Sequence, residues 1–505
     1  MHAIINLMQK LGYKVEYKGV CAGLTQMWVQ AYFSGENEEF VFLSRIDKIN
    51  DDFEKGKINE NNIEQKLLVT ENKIKHGMAL DDEDIHLLEM RPFFDGVALY
   101  QLAKNAGENF FINAPPGGPV QTDVDTISKT TASKALENKA IIKVYNEPLA
   151  CINANLQNFF DELKKTISEN ASDVVFTLSS GLHRIGLRFD ADENKWVLIN
   201  PGSYLDDSLA YKKDDKGNPL SLKETINKNL KFDHECIAKE IQAALSLEAN
   251  SVANINAFVV ENHPELSNIK SNFSSLNPPR ENVVNRGITL IHLAVAYNNL
   301  SALENNIHFY DLDTRIIDTG KTALEIGLID NHVECIRILV KHGANLKLTN
   351  TQGKTQLSIE IQEKKWENII AVLSSIEHIS RLSEKDLKSI KKKKSEIQKH
   401  FISYLNSISD PNKKKEAIEE ALHEPSGLVI IFDQDFKKKI LKLNAGNFAT
   451  ASAENAGQPV TEKKSKFSFL LNALKLKSEN KTSFLENQHK SEVHITKEKK
   501  INPQQ

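Results

Sequence analysis

Apolar residues fall at Leu24, Met27, Trp28, Ala31 and Tyr32, the i, i+3, i+4 spacing of a helix with one buried face. Gly35 stands where that helix would end, and Gly19 ahead of it permits a sharp entry turn. The spacing therefore predicts a helix that opens at Cys21. Residues 55–105 keep a helical, highly charged pattern. Beyond them the period changes. "AIIKVY" reads as a strand and "LQNFFDELKKTI" as a helix, and "DVVFTLS", "HRIGLRF" and "WVLIN" read as three more strands. The helix "ECIAKEIQAAL" and a last strand, "INAFVV", complete the first 262 residues. Helices first and sheet later predict an α+β unit.

A repeat follows. "RGITLIHLAVA", "TGKTALEIGLI" and "QGKTQLSIEI" place Gly287, Gly320 and Gly353 at a spacing of 33 residues, with Thr289, Thr322 and Thr355 in the same register. Each threonine is placed to cap the helix after it. The second copy is the fullest: its outer helix runs through "HVECIRILVKHGAN", with Gly343 at the C-terminal cap. A 33-residue period with Gly-x-Thr before an apolar helix resembles the ankyrin repeat. His292 occupies that family's Thr-x-Leu-His position, whereas Glu325 and Ser358 do not match it. The resemblance covers residues 282–378, about three repeats. It implies an all-α domain that presents a surface to proteins. Tip residues Asn285, Arg286, Asp318, Thr319, Asn350 and Gln352 would then touch a partner.

Between these regions, residues 263–281 are rich in Pro, Ser and Asn and read as a linker. Residues 379–445 form a Lys-rich helical region. Its "KKKK" at 391–394 reads first as a solvated helix face and second as a localisation signal for the nucleus. Residues 446–505 read as a largely disordered tail that holds one short amphipathic piece, "FSFLLNALKLK".

Composition narrows the function classes. Of 505 residues, 40% are hydrophobic and 26% charged, enough for sizeable cores. A net charge of −4 makes no general case for binding nucleic acid. No apolar run reaches the roughly 18 residues of a membrane span, and the start of the sequence lacks the layout of a secretory signal. The four cysteines show no CxxC spacing, which argues against a disulfide scaffold or a structural zinc. "DHEC" at 233–236 has metal-type residues but no second cluster, and the Gly-rich "APPGGPV" lacks a following helix and a Lys-Ser/Thr pair. No metal or cofactor is expected.

One cysteine has a distinctive address. At a helix N-terminus, free N–H groups and the positive end of the dipole favour a thiolate, and the same N–H groups can hold an oxyanion. The base would be His183. If Leu187 pairs with Trp196 and Ile185 with Leu198 across the turn "DADEN", then His183 faces Asn200 on a shared strand face. A neighbouring amide is suited to orienting a catalytic imidazole.

Cys21 in "GVCAGLTQMW", His183 in "GLHRIGL" and a hairpin reaching "WVLINPGS" together resemble the papain-like cysteine proteases, most closely the YopT/AvrPphB-type branch. Asn200 stands where that branch usually has aspartate; asparagine fills the role in papain itself. Gln9 matches the usual oxyanion side chain by type only. The resemblance covers residues 1–262. It implies a thiol hydrolase with the catalytic triad Cys21, His183 and Asn200, for which proteolysis, deamidation and acyl transfer all remain open. The alternative is a papain-like scaffold without chemistry that acts as an ankyrin interaction protein. The combination resembles effectors of Legionella- or Coxiella-like pathogens, which would reach the host cytosol by type IV secretion and act on a host protein.

Overall fold

The computed structural model describes residues 2–15, 19–106, 119–131, 136, 140–170, 173–180, 183–201, 230–245, 251–408 and 428–441, with isolated positions 410, 414 and 418. The expected C-terminal tail, 446–505, lies outside the described residues. The protein forms two compact units, Met1–Ile326 and Gly327–Gln505. No described helix is long and apolar enough to cross a membrane.

The first unit is α+β. Helices α1 (His2–Lys10), α2 (Cys21–Phe33), α3 (Glu36–Glu54), α4 (Ile63–Lys75), α5 (Asp82–Gln101) and α6 (Val124–Thr131) come first. Strand β1 (Ile141–Cys151), helix α7 (Asn153–Asn170) and strands β2 (Val175–Ser179), β3 (Arg184–Asp190), β4 (Lys195–Ile199), β5 (Lys231–Asp233) and β6 (Ser251–Val260) follow. Helix Ile237–Ala244 lies between the last two strands. The strands form one antiparallel sheet in the order β1-β6-β2-β3-β4-β5.

Strand alternation divides the core in two. Ile141, Val175, Val197, Ile199 and Phe258 join the cluster that holds Leu24, Trp28 and the helices α1–α5. Phe176, Leu178, Ile185, Leu187, Trp196 and Leu198 join Leu156, Phe160 and Ile241 in the other cluster. With both faces covered, β2 is buried along its whole length, so its sequence shows an apolar run and not alternation. Trp196 sits in the second cluster, edge-on to Phe160 at 5.5 Å.

The β3–β4 register differs from the expected one by two residues. Leu187 faces Leu198, and Phe189 faces Trp196. The cause is the turn. Ladder pairing stops at Asp190 and Lys195, and Ala191–Asn194 make a four-residue connection with Asn194 at φ 54°. The Glu193 N–H donates to Asp190 Oδ1 at 3.2 Å. A shift of two keeps every side chain on its expected face, but the ladder ends at Gly186 and Ile199, so His183 and Asn200 lie just outside the paired strands.

The stretch 263–281 is not a linker. It carries helix Leu266–Ser274, and Ile269 and Phe273, an i, i+4 pair, are buried in the second cluster. Phe273 lies 5.4 Å from Tyr145 and 6.0 Å from Phe176. Leu266 of the same helix packs against that cluster too, and three apolar residues on a polar helix are too few for the surrounding composition to reveal.

In the 33-residue copies, Gly287, Gly320 and Gly353 have φ of 78°, 67° and 67°, a region that favours glycine. Thr289 and Thr355 accept the N–H groups of His292 and Ser358, and Thr322 accepts that of Glu325. The first copy, with helices Leu290–Ala296 and Leu300–Asn306, packs on the sheet: Leu290, Leu293 and Tyr297 share a core with Ala150 and Val252.

In the second unit, helix Val333–Lys341 ends as expected at Gly343. The Gly343 N–H reaches Val340 O and the Ala344 N–H reaches Leu339 O, the paired bonds of a Schellman cap. Helix Glu384–Ser407 carries the Lys391–Lys394 run. There Lys393 pairs with Glu396 at 2.6 Å and Lys394 with Asp433 at 2.7 Å. Phe401 of the same helix packs on Phe432 at 5.0 Å.

Candidate active site

The helix predicted to open at Cys21 does so. It packs on α3, α5 and β3, and glycines let it come close. A Cβ on Gly23 would lie 2.3 Å from the Val97 carbonyl oxygen, and one on Gly186 would lie 2.4 Å from the Trp28 ring. Gln101 Oε1 accepts the Gly23 N–H at 3.0 Å, and the Leu24 N–H bonds to Val20 O at 2.9 Å. The N–H groups of Cys21 and Ala22 have no acceptor among the described residues.

Cys21, His183 and Asn200 come together. The Cys21 thiol and the His183 imidazole are close enough for each to shift the other's titration, and His183 Nε2 lies 2.7 Å from Asn200 Oδ1. Asn200 Nδ2 donates to Ala244 O at 3.3 Å, which orients the amide so that Oδ1 faces the imidazole. That oxygen only accepts, so Nε2 carries a proton, and Nδ1 is left for the thiol.

The charges favour an ion pair. Burial works against a Cys21 thiolate, but the His183 hydrogen bond and charge, with the N–H and charge of Arg184, bring its pKa below the ordinary thiol value. Burial likewise opposes a charged His183, yet the hydrogen bond and charge of Cys21 and the bond to Asn200 raise its pKa above the ordinary value. Elsewhere burial dominates, joined at Cys335 by the charge of Glu334. It pushes Cys335 up to about 12, and it raises Cys151 strongly.

Several neighbours escaped the sequence reading. Thr25, one turn beyond Cys21, donates to Arg184 O at 3.1 Å and ties α2 to β3. Arg184 itself is 4% exposed. A charged residue in the apolar strand "HRIGL", next to the proposed base, was the available signal. Gln9, the side chain suggested for the oxyanion, is exposed on α1 and has no described bond to Cys21. His234 of "DHEC" is occupied: Nδ1 accepts from Trp196 Nε1 at 2.9 Å, and Nε2 donates to Asp161 at 2.7 Å. No metal-binding cluster of His, Cys, Asp and Glu occurs among the described residues.

The suggested partner-binding tips have local duties. Asn285 Nδ2 bonds to Ser251 Oγ. Arg286 pairs with Asp318 at 2.6 Å, and Thr319 Oγ1 accepts the Lys321 N–H at 3.4 Å. Asn350 Oδ1 accepts the N–H of Gln352 at 2.9 Å and that of Lys354 at 3.1 Å. Gln352 is exposed.

Asn200 offers a direct test of imidazole orientation. If the site works as a thiol hydrolase, Asn200→Ala is expected to lower turnover of an activated substrate by roughly ten- to a hundredfold, part of the usual worth of a positioned acid–base group. Asn200→Asp should recover most of it, because a carboxylate accepts the same Nε2–H. Equal losses in both variants, measured as kcat/KM, would exclude the orienting role. Comparison of the protein with protein-family models, curated proteins and solved structures finds no match.

Proposed function

We propose that Met1–Ile326 contains a papain-like thiol hydrolase, with Cys21 as nucleophile, His183 as acid–base and Asn200 as the group that holds the imidazole. The carrying observation is the 2.7 Å contact of His183 Nε2 with Asn200 Oδ1, with Cys21 at the N-terminus of α2 close enough to His183 for each to shift the other's titration. In this mechanism the Cys21 thiolate attacks a carbonyl carbon and forms a C–S bond. The N–H groups of Cys21 and Ala22 are suited to hold the resulting oxyanion. His183 gives its proton to the leaving nitrogen, and the C–N bond breaks. Water, deprotonated by the neutral imidazole, then cleaves the thioester. The 33-residue copies fit ankyrin repeats by their Gly-x-Thr turns and threonine caps. Together with the resemblance of the sequence, they support a secreted bacterial effector that acts on a host protein.

A second reading, a binding scaffold without turnover, draws on one observation: the exposed Gln9 leaves the oxyanion without an assigned side-chain donor. An electrophilic thiol probe at pH 6 separates the two. The hydrolase reading expects labelling of Cys21 at least about tenfold faster than of Cys151 or Cys335, whose thiols stay protonated. Proteins from host cells expressing wild type or Cys21→Ala should then differ in cleaved or deamidated products. Fast labelling without any such difference favours the scaffold, and slow labelling removes the nucleophile.

A further inference from the structure

Helix α2 carries the nucleophile, and strand β3 follows directly on the base, so the chemistry depends on how helix and strand are held together. One buried bond joins them beside the site. Thr25 is 0% exposed, and its hydroxyl donates to the Arg184 carbonyl at 3.1 Å. Thr25 lies one turn after Cys21 on the same side of the helix, and Arg184 is the residue after His183. The β3–β4 ladder ends at Gly186, so the Arg184 carbonyl lies beyond that pairing, and α2 supplies a donor. A second contact lies farther along both elements. A Cβ on Gly186 would be 2.4 Å from the Trp28 ring, and Glu39 accepts from Trp28 Nε1 at 2.9 Å and from Arg188 Nη2 at 3.2 Å.

These contacts fix one register. Cys21, Thr25 and Trp28 form an i, i+4, i+7 stripe that meets the strand in order, Thr25 at Arg184 and Trp28 at Gly186. Four residues span about 6 Å of helix, and one residue spans about 3.3 Å of strand. With Thr25 held at Arg184, Cys21 therefore comes level with the chain around His183. The His183 backbone is itself fixed, since its carbonyl accepts the Ser180 N–H at 2.9 Å and its N–H donates to Ser180 Oγ at 3.2 Å. We infer that Thr25 is a positioning residue whose hydroxyl sets the spacing between Cys21 and His183. The inference rests on the thiol-hydrolase reading and deepens it. The charged groups that act on Cys21 are His183 and Arg184, both in the segment that Thr25 holds. On the α5 side the neutral Gln101 accepts the Gly23 N–H at 3.0 Å, and on α3 Glu39 is engaged at Trp28, two turns from Cys21. A change of spacing at Thr25 should therefore appear in the titration of the thiol.

The test is the pH profile of iodoacetamide alkylation in the full-length protein, read at the peptide that contains Cys21, with thermal melting as the check on folding. Thr25→Val keeps the shape and loses the hydroxyl. It is expected to slow alkylation at pH 6 by about fivefold and to move the rise toward alkaline pH, as a weaker Cys21–His183 pairing requires. Thr25→Ser keeps the hydroxyl and should restore the wild-type profile, even where the lost methyl group lowers the melting temperature. A folded Thr25→Val variant with the wild-type profile would overturn the inference. So would a slowing that is equal at every pH, or one that Thr25→Ser shares. If Thr25→Val does not fold, Thr25→Ala, which removes the hydroxyl without setting a methyl group against the carbonyl, is read by the same criteria. His183→Ala separates the two levels. If His183→Ala moves the profile and the Thr25 variants do not, only this inference falls. If His183→Ala moves nothing, the hydrolase reading falls with it.

Discussion

His183→Ala is expected to slow alkylation of Cys21 at pH 6 by at least about tenfold. The sign follows from the opposing effects at the sulfur. Burial favours the neutral thiol, and the His183 hydrogen bond and charge outweigh it. Without the imidazole the burial penalty remains, and only Arg184 opposes it, so the Cys21 pKa should rise. In wild type, reactivity should increase as pH climbs through the lowered Cys21 value. It should hold while His183, whose own pKa is raised, keeps its proton. In the variant the increase should begin at distinctly higher pH. Part of the gain in thiolate is offset because a more acidic thiol is a weaker nucleophile, so the tenfold figure is a floor set after that discount. Stopped-flow rates between pH 5 and 10 would decide the matter, and superimposable profiles would rule out a Cys21–His183 pair.

Gly23→Ala should have an equally large effect by a different route. The new methyl group would sit 2.3 Å from Val97 O and 3.0 Å from Val97 C. Those are backbone atoms of α5, buried between helices, and they cannot rotate away. The helix α2 must therefore move, and Cys21 is its first residue. Overpacking of this kind costs about 1–3 kcal/mol, and a 1 Å misplacement of a catalytic group costs about a hundredfold in rate. Denaturant melts should show the lost stability, and labelling should show slower Cys21 reaction even where the protein remains folded. Gly186→Ala is the matching probe from the other side, since its methyl group would strike the Trp28 ring of the same helix at 2.4 Å. If Gly23→Ala keeps wild-type stability and Cys21 reactivity, the close α2–α5 packing does not hold the site.

Local signals carried far in this protein. The helix opening at Cys21 could be read from five apolar residues and two glycines. Five of the six strands could be read from short apolar or alternating runs, β5 being too short to show one, and the repeat turns from Gly-x-Thr at a fixed spacing. Each depends on neighbours within one or two turns: side-chain spacing, a hydroxyl that caps a helix, a backbone angle that favours glycine. Even the pairing of His183 with Asn200 was legible despite a register error of two residues, because such a slip preserves the face.

The rest was settled between distant parts of the sequence. Gln101 meets Gly23 across 78 residues, Tyr297 meets Arg184 across 113, and Thr25 meets Arg184 across 159. Nothing local marks a glutamine as the acceptor for one helix N-terminus, or a tyrosine after a repeat helix as the clamp on an arginine. The stretch 263–281 has the composition of a linker, yet Ile269 and Phe273 dock it into the core because a sheet face was there to cover. Residue spacing determines which side chains share a surface. Which surfaces meet, and therefore which buried charge finds which partner, is decided by the packing of the whole unit, where desolvation makes an unmatched group too costly to keep.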